Sequence, residues 1–557
     1  MRTLQNEEKL HLILEDLDSE SEAPRKRIQN QKSKKVYLFT IILIVVFLLY
    51  ASTSEDLKRP SESPPTPSES SEAPTTTTTE PPLPPLKPGV LTDPTRRLTR
   101  ILPVSHVFIT SAYYYPTSKS LGNNSVALTM AVDKKNFDIK KAMYNIVGSN
   151  STDSKFSSVP ALYEGVPTCR YTPAMATTQL VANMTKLEME SNGITVQIPF
   201  KMARYTAPKP VIICISPQFV AEQWQMFVMH VHVANRFGGH LHMYVTSMIE
   251  SYFELMKEYE RQGYMTLDFW LRMKFSESQT PYFEPNGNIE WRNQAGAETD
   301  CLLQYKEAAE YIAFFDMDDI LFPKNYPTYL EEFTAEWTTQ PNSSALLYGR
   351  REHEFIKAET LAEFNFTELV ESLKSSPLVK RGKVVVKPER YNSTWIHYSQ
   401  NVNHTTRHKV ESPTLVHVQR PLQKHSKTNN NMTSLWKMEF GPLNETIRDE
   451  DVRAIEEDIQ RMRNLSVITD IADKLPNADF YLPIVFKCYY DAFYGPVMVE
   501  KTGLFNCPNA DTCELPQREA FKCVHSDAMY FSGPHMEPFT YHFSNASFWS
   551  NDIGCYQ

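Results

Sequence analysis

EYIAFFDMDDILFP, residues 310–323, sets an apolar run (Tyr311 to Phe315) directly against three aspartates, Asp316, Asp318 and Asp319. The chain turns apolar again at Ile320, Leu321 and Phe322 and stops at Pro323. YIAFF reads as a strand buried on both faces, the kind found in parallel sheets. The stretches before it agree. PVIICISP (210–217) is a continuous apolar strand, followed by a helical pattern over about 219–236. HLHMYVTS (240–247) is a second strand, and SYFELMKEYERQG (251–263) is a charged amphipathic helix ending at Gly263. YMTLDFW, the helical ETDCLLQYKEAAE and YIAFF complete the series. Strands alternating with helices predict an α/β, doubly wound Rossmann-like sheet. The aspartates then fall just past the C-terminal end of a sheet strand, where such sheets bind ligands.

Three carboxylates in four positions between apolar runs repel one another and are costly to bury unpaired. A divalent cation is the simplest partner, and hard cations take oxygen ligands. A calcium loop of the EF-hand type fails, because Ile320 and Leu321 stand where an oxygen ligand and a glycine are required. A haloacid-dehalogenase-like phosphatase is closer, since apolar-strand-D-x-D-x-x-L matches its nucleophile motif. That motif belongs on the first strand of its domain, and here at least three strands precede it. Nucleotide-sugar transfer suits the residues better. Its leaving diphosphate develops negative charge, which Mn²⁺ or Mg²⁺ held by carboxylates can stabilise. Only 17 glycines are present, far below the usual share of about 7%, and no Gly-rich phosphate loop occurs.

The flanks predict the setting. The 557-residue chain carries a net charge of −9, with no basic excess to attract nucleic acid. VYLFTIILIVVFLLYA (36–51) follows a basic lead-in and precedes Glu55 and Asp56. That pattern predicts a signal anchor over 36–54 with residues 1–35 cytoplasmic, a single-pass type II orientation. Residues 55–98, rich in Pro, Ser and Thr, read as an extended stem. Eleven N-x-S/T sequons all follow the anchor, at Asn123, Asn150, Asn183, Asn342, Asn365, Asn392, Asn403, Asn431, Asn444, Asn464 and Asn545. All eight cysteines follow it too, which fits an oxidising lumen and up to four disulfides. Zinc at Cys507, Cys513, Cys523 and His525 is the rival reading and lacks C-x-x-C spacing. Residues 99–206 look β-rich, 207–425 hold the α/β pattern, and 426–557 form a helical and Cys-containing C-terminal region. Within it, 445–466 reads as a surface helix and the tail beyond Pro483 as irregular.

D-x-D after several βα units resembles the signature of GT-A glycosyltransferases. The ordered set PVIICISPQF, HLHMYVTSM, EYIAFFDMDDILFP, SALLYGRREHEF, KVVVKPERYNSTWIHYSQ and SPTLVHVQRP resembles glycosyltransferase family 92 over about residues 208–425. The resemblance implies a GT-A catalytic domain and an inverting transferase using UDP-galactose. It implies a glycan acceptor, galactose going β1,4 onto the core fucose of N-glycans, and a Golgi membrane location. It assigns Asp316 and Asp318 to the metal and diphosphate, with Asp319 as a further ligand or an orienting group. His417 is the expected histidine ligand, with His397 as second choice, and Arg420 faces the diphosphate. Glu352 and Glu354 are the candidate bases, placed on one face by strand alternation. Trp291 and Trp395 are either sugar-stacking or core residues. A membrane-anchored carbohydrate-binding or receptor protein on an inactive scaffold is the alternative from another class.

Overall fold

In the computed structural model the described residues are 105–557, except 136–137, 277–283, 424–438, 495–506, 510, 512, 514, 517–521, 552–554 and 556–557. The expected tail 1–35, anchor 36–54 and stem 55–98 lie outside them. No helix among the described residues is long and apolar enough to cross a membrane.

The chain opens with strands β1 (Ser105–Tyr115), β2 (Ser125–Asp133) and β3 (Tyr171–Gln179). Between β2 and β3, residues 144–159 begin a separate four-stranded sheet that residues 186–198 complete. The α/β pattern then starts with β4 (Val211–Gln218), α1 (Trp224–Arg236), β5 (Gly239–Val245), α2 (Glu250–Arg261) and β6 (Met265–Phe269). It continues through α3 (Gln294–Tyr305), β7 (Tyr311–Phe315), β8 (Asp319–Leu321) and α4 (Tyr329–Thr339). Long strands β9 (Ala345–Lys357), β10 (Lys374–Val386) and β11 (Arg407–Gln423) follow. Helices α5 (Asp449–Arg463) and α6 (Tyr481–Tyr489) and strands β12 (Cys523–Ser532) and β13 (Phe539–Ser550) close the chain.

The central sheet runs β6-β5-β4-β7-β10-β9-β11-β8. Its first four strands are parallel, joined by α1, α2 and α3, as the apolar runs predicted. β5 and β7 are buried along their whole length because helices cover both faces. From β10 onward the pairing is mixed, with β10 antiparallel to both β7 and β9. α2 ends at Gly263, whose φ of +82° lets the chain leave the helix in the left-handed region.

The C-terminal region departs from the reading as surface helix and irregular tail. α5 turns Val452, Ile455, Ile459 and Met462 into the core, and Asp458 bonds His232 of α1 at 2.8 Å. The tail forms β12 and β13, which insert into the N-terminal sheet. β13 lies parallel to β1, and β12 pairs with the short strand Ser247–Ile249 just after β5. The alternation in CVHSDAMYFS and FTYHFSNASFWS was the available signal. The cysteines form four disulfides, Cys169–Cys507, Cys214–Cys301, Cys488–Cys513 and Cys523–Cys555, so no thiol among them remains for zinc.

Where β1 meets β13, His106 Nδ1 and His542 Nε2 share a hydrogen bond of 2.8 Å, and the Ser532 hydroxyl bonds the other nitrogen of His542. Burial pushes His106 down to about 4 and His542, with His106 beside it, down to about 3. The unfolded chain protonates both near pH 6.5, so stability is full above that value and falls as pH drops toward 4. Thermal melts between pH 7 and 4 should show a falling midpoint, with a shallower fall in His542→Phe. Equal slopes in the two proteins would mean that this pair is not a source of the acid sensitivity.

Candidate functional site

β7 delivers the chain into a tight turn. The Asp319 N–H donates to the Asp316 carbonyl at 3.1 Å, and β8 then runs back antiparallel to β11. The turn is fixed from two sides. Val418 N–H donates to the Asp318 carbonyl at 2.9 Å, and His230 of α1 bonds the Met317 carbonyl through Nδ1 at 3.1 Å.

Sheet register does the rest. β11 lies between β8 and β9, with His417 opposite Asp319 on one side and Glu352 on the other. His417 Nδ1 bonds Asp319 Oδ1 at 2.8 Å, which turns Nε2 toward Asp318 (3.7 Å) and Glu352 (3.8 Å). Burial pulls the His417 pKa down, but the Asp318 and Glu352 carboxylates outweigh it and leave the imidazole pushed up to about 9. Burial raises Asp318 to about 6. It acts the same way on Asp319, but His417, Arg350 and Lys383 overcome it and hold Asp319 below the usual carboxylate range.

One ligating atom each from Asp318, Asp319 and His417 lies within 4.8 Å of the others, the group among the described residues with the donors for a metal ion. The donor set fits a divalent cation. The second oxygen of Asp319 is buried without a hydrogen-bond partner, and a carboxylate on Nδ1 is the usual device for presenting Nε2 to a metal.

Asp316 stands apart from this trio. Its carboxylate faces β10, where Lys383 reaches it at 2.7 Å, and it accepts from Gln294 Nε2 at 3.0 Å. Lys383 is buried and also donates to the Ile396 carbonyl at 2.6 Å. Gln294 in turn donates to Glu298 at 2.8 Å, a carboxyl that burial raises to about 8.

Glu352 and Glu354 do not act as a pair. A register shift between them lets β9 advance two residues while β11 advances three. Glu352 is buried between His417 and Lys380 (3.5 Å), whereas Glu354 meets Lys374 of β10 at 3.2 Å. The extra residue lies in β11, so the two glutamates meet different partners across the ladder. Arg420 lies opposite Glu354 in the β9–β11 ladder, and its side chain is outside the described residues. His397 bonds the Gly382 carbonyl at 3.0 Å and is not part of the trio. Trp395 is a core residue, its Nε1–H donating to Glu290 at 2.7 Å.

Lys383, Gln294, Glu298 and Arg350 escaped the sequence reading. A lysine heading the apolar run KVVVK was a usable signal for Lys383. The others show nothing locally to mark them.

A cavity of about 330 Å³ opens beside Asp316 and Asp318. The end of β4 and the β4–α1 loop, together residues 216–223, form one wall and α6 another, with Tyr481, Leu482, Val485, Phe486 and Tyr489 facing in, and Trp291 joins them. α6 is docked by Glu222, whose Oε1 accepts N–H bonds from Phe480, Tyr481 and Leu482 at 2.8, 2.8 and 2.9 Å.

An α/β sheet that gathers carboxylates and a histidine at its carboxyl edge, beside a cavity of this size, has the layout of an enzyme's ligand-binding site. Residues 209–463 match the family model of glycosyltransferase family 92. The chain is 65% identical over 469 residues to the Caenorhabditis elegans glycosyltransferase family 92 protein ZK381.2, covering 84% of this chain and 93% of that protein. With F55C10.4 of the same family and organism the identity is 42% over 478 residues, covering 81% and 91%. The chain belongs to glycosyltransferase family 92. A crystal structure of S. aureus TarS residues 1–349 aligns over 53% of this chain and 73% of its own, at 10% identity and a TM-score of 0.22, a likeness too distant to argue from.

If the trio holds a divalent cation and Asp319 orients His417, Asp319→Asn should lower the affinity for that cation, probed with Mn²⁺, about 10–100-fold while the protein stays folded. Calorimetric titration of the cation reads this directly. Unchanged affinity would reduce Asp319 to a structural carboxylate.

Proposed function

We propose that this protein is a metal-dependent, inverting glycosyltransferase of the GT-A type. In this reading it transfers galactose from UDP-galactose to a glycan, β1,4 onto the core fucose of N-glycans. The observation that carries the reading is the Asp318–Asp319–His417 trio at the edge of a cavity large enough for part of a nucleotide sugar. The choice of galactose and of the fucose acceptor rests on the family resemblance of the sequence. The predicted anchor, stem, sequons and cysteines support a type II protein with its catalytic domain in the Golgi lumen.

Asp318, Asp319 and His417 would hold the cation, with Asp316 beside them. When bound, it supplies positive charge to the leaving diphosphate. Lys383 keeps Asp316 in place and offsets part of the negative charge of the turn, and Gln294 fixes the other oxygen of the same carboxylate. The attacking acceptor hydroxyl must lose a proton to a base. Of the two glutamates read from the sequence, Glu352 lies beside the trio and is the one assigned here; Glu354, paired with Lys374, is set aside.

A screen of nucleotide sugars, reading UDP or GDP release with Mn²⁺ or Mg²⁺ and followed by linkage analysis of the product, tests the whole reading. UDP-galactose should be turned over with a core-fucosylated acceptor, and Asp318→Ala should lose at least about 100-fold in kcat. Glu352→Gln should lose about 10²–10⁴-fold in kcat with little change in donor KM. Full turnover by Asp318→Ala would break the metal assignment. Phosphatase activity without a sugar donor would favour the dehalogenase-like reading. Sugar binding with no turnover of any donor would favour a carbohydrate-binding protein.

A further inference from the structure

Just before α3, Trp291, Arg292 and Asn293 have φ of 46°, 54° and 60°, three successive non-glycine residues in the left-handed region. L-residues visit that region singly, and each visit carries a conformational cost. Such a run persists only where the surroundings over-determine it, and strain of this kind clusters at ligand sites.

The surroundings are dense. Trp291 N–H donates to the Pro508 carbonyl at 2.7 Å. The Arg292 guanidinium lies over the Phe219 ring at 4.1 Å and reaches Asp511 at 3.1 Å. The Arg292 carbonyl accepts from Trp270 Nε1–H at 2.9 Å. On the far side, Gln294 is the residue that holds Asp316. The strained turn is therefore gripped by the C-terminal region at one end and tied to the aspartate turn at the other.

What this grip achieves is the aim of one side chain. Trp291 is only partly buried and lines the cavity that Asp316 and Asp318 share, with its ring 5.2 Å from that of Tyr489 on α6. A tryptophan needed for packing alone requires no left-handed backbone; Trp395, buried and bonded to Glu290, is that other kind. The cavity is also divided by chemistry. Its charged groups, Glu222, Asp316 and Asp318, come from the β4–α1 loop and the aspartate turn, while Trp291 and the inward face of α6 carry no charge. A diphosphate belongs with the first set, and the edge of a nucleobase needs hydrogen-bonding groups of the kind Ser216 and Gln218 offer. A pyranose has a ring face of C–H groups that packs on an aromatic plane.

We propose that Trp291 is the platform on which the acceptor sugar packs, a specificity-determining residue aimed by the left-handed turn 291–293. This rests on the glycosyl-transfer reading above.

Two measurements test it, with Trp291→Ala and the more conservative Trp291→Phe. In steady-state transfer from UDP-galactose to a core-fucosylated N-glycan, Trp291→Ala should raise acceptor KM about 10–100-fold. Donor KM should rise far less than acceptor KM, and Trp291→Phe should recover most of the loss. An unchanged acceptor KM overturns the proposal, as does a donor KM that rises equally, which would mean the indole contacts the donor, through its nucleobase or its own sugar. Saturation-transfer NMR of the same glycan reads contact without turnover, and thermal melts confirm that each variant is folded. A wild-type protein that binds UDP with Mn²⁺ but gives no glycan signal sensitive to Trp291 overturns the platform and leaves the donor reading standing. A Trp291-sensitive glycan signal in a protein that neither binds UDP nor turns over any donor keeps the platform and overturns the donor reading.

Discussion

Carboxylates cannot crowd into the end of a buried sheet unless cations sit among them. Asp316, Asp318, Asp319 and Glu352 share one corner of this protein, and Lys383, Arg350, Lys380 and His417 are interleaved with them. Arg350 is held firmly charged by Asp319 and Glu352 despite its burial. Most of this compensation arrives from strands β9, β10 and β11, which follow the aspartates in sequence. The mixed half of the sheet is thus what makes the parallel half chemically tolerable, because removing one partner from a buried charge pair leaves the other uncompensated. The extra residues that β10 and β11 carry opposite β9 belong to the same economy of space. They let Glu352 stay beside His417 while Glu354 turns to Lys374.

The parallel half of the fold was legible because its signals are local. PVIICISP, HLHMYVTS and YIAFF are strands whose every residue must be apolar, and the helices between them carry a period of their own. The position of the aspartates followed from strand direction alone. What was not legible depends on register. The neighbours of Asp319 across the sheet are 98 residues downstream, and no local pattern announces that His417 will stand opposite it. The same holds for Asp316. The family motif assigned it to the metal and diphosphate, and nothing local announced that Lys383 would pair with it. Glu352 and Glu354 show the same dependence, because an extra residue in the partner strand gives them different neighbours.

The C-terminal region shows how far an irregular-looking tail can be structural. Its strands occupy interior positions of the first sheet, its helix α6 walls the cavity, and its residues Pro508 and Asp511 grip the turn at Trp291. The segment matched to the family model stops at residue 463, so parts of the pocket lie beyond it. Cys169–Cys507 and Cys488–Cys513 tie this region to the sheet and within itself, which suits a chain maturing where thiols oxidise.

The pairing of β1 with β13 also sets a clock. His106 and His542 are separated by 436 residues, so the open edge of β1 exists from the moment it leaves the ribosome until almost the whole chain has been made. At about 5–20 residues per second that interval is roughly 20–90 s. An exposed strand edge is a template for the wrong partner. The first sheet to be synthesised is therefore the last to be closed, and the nascent protein depends on its folding environment for that whole interval.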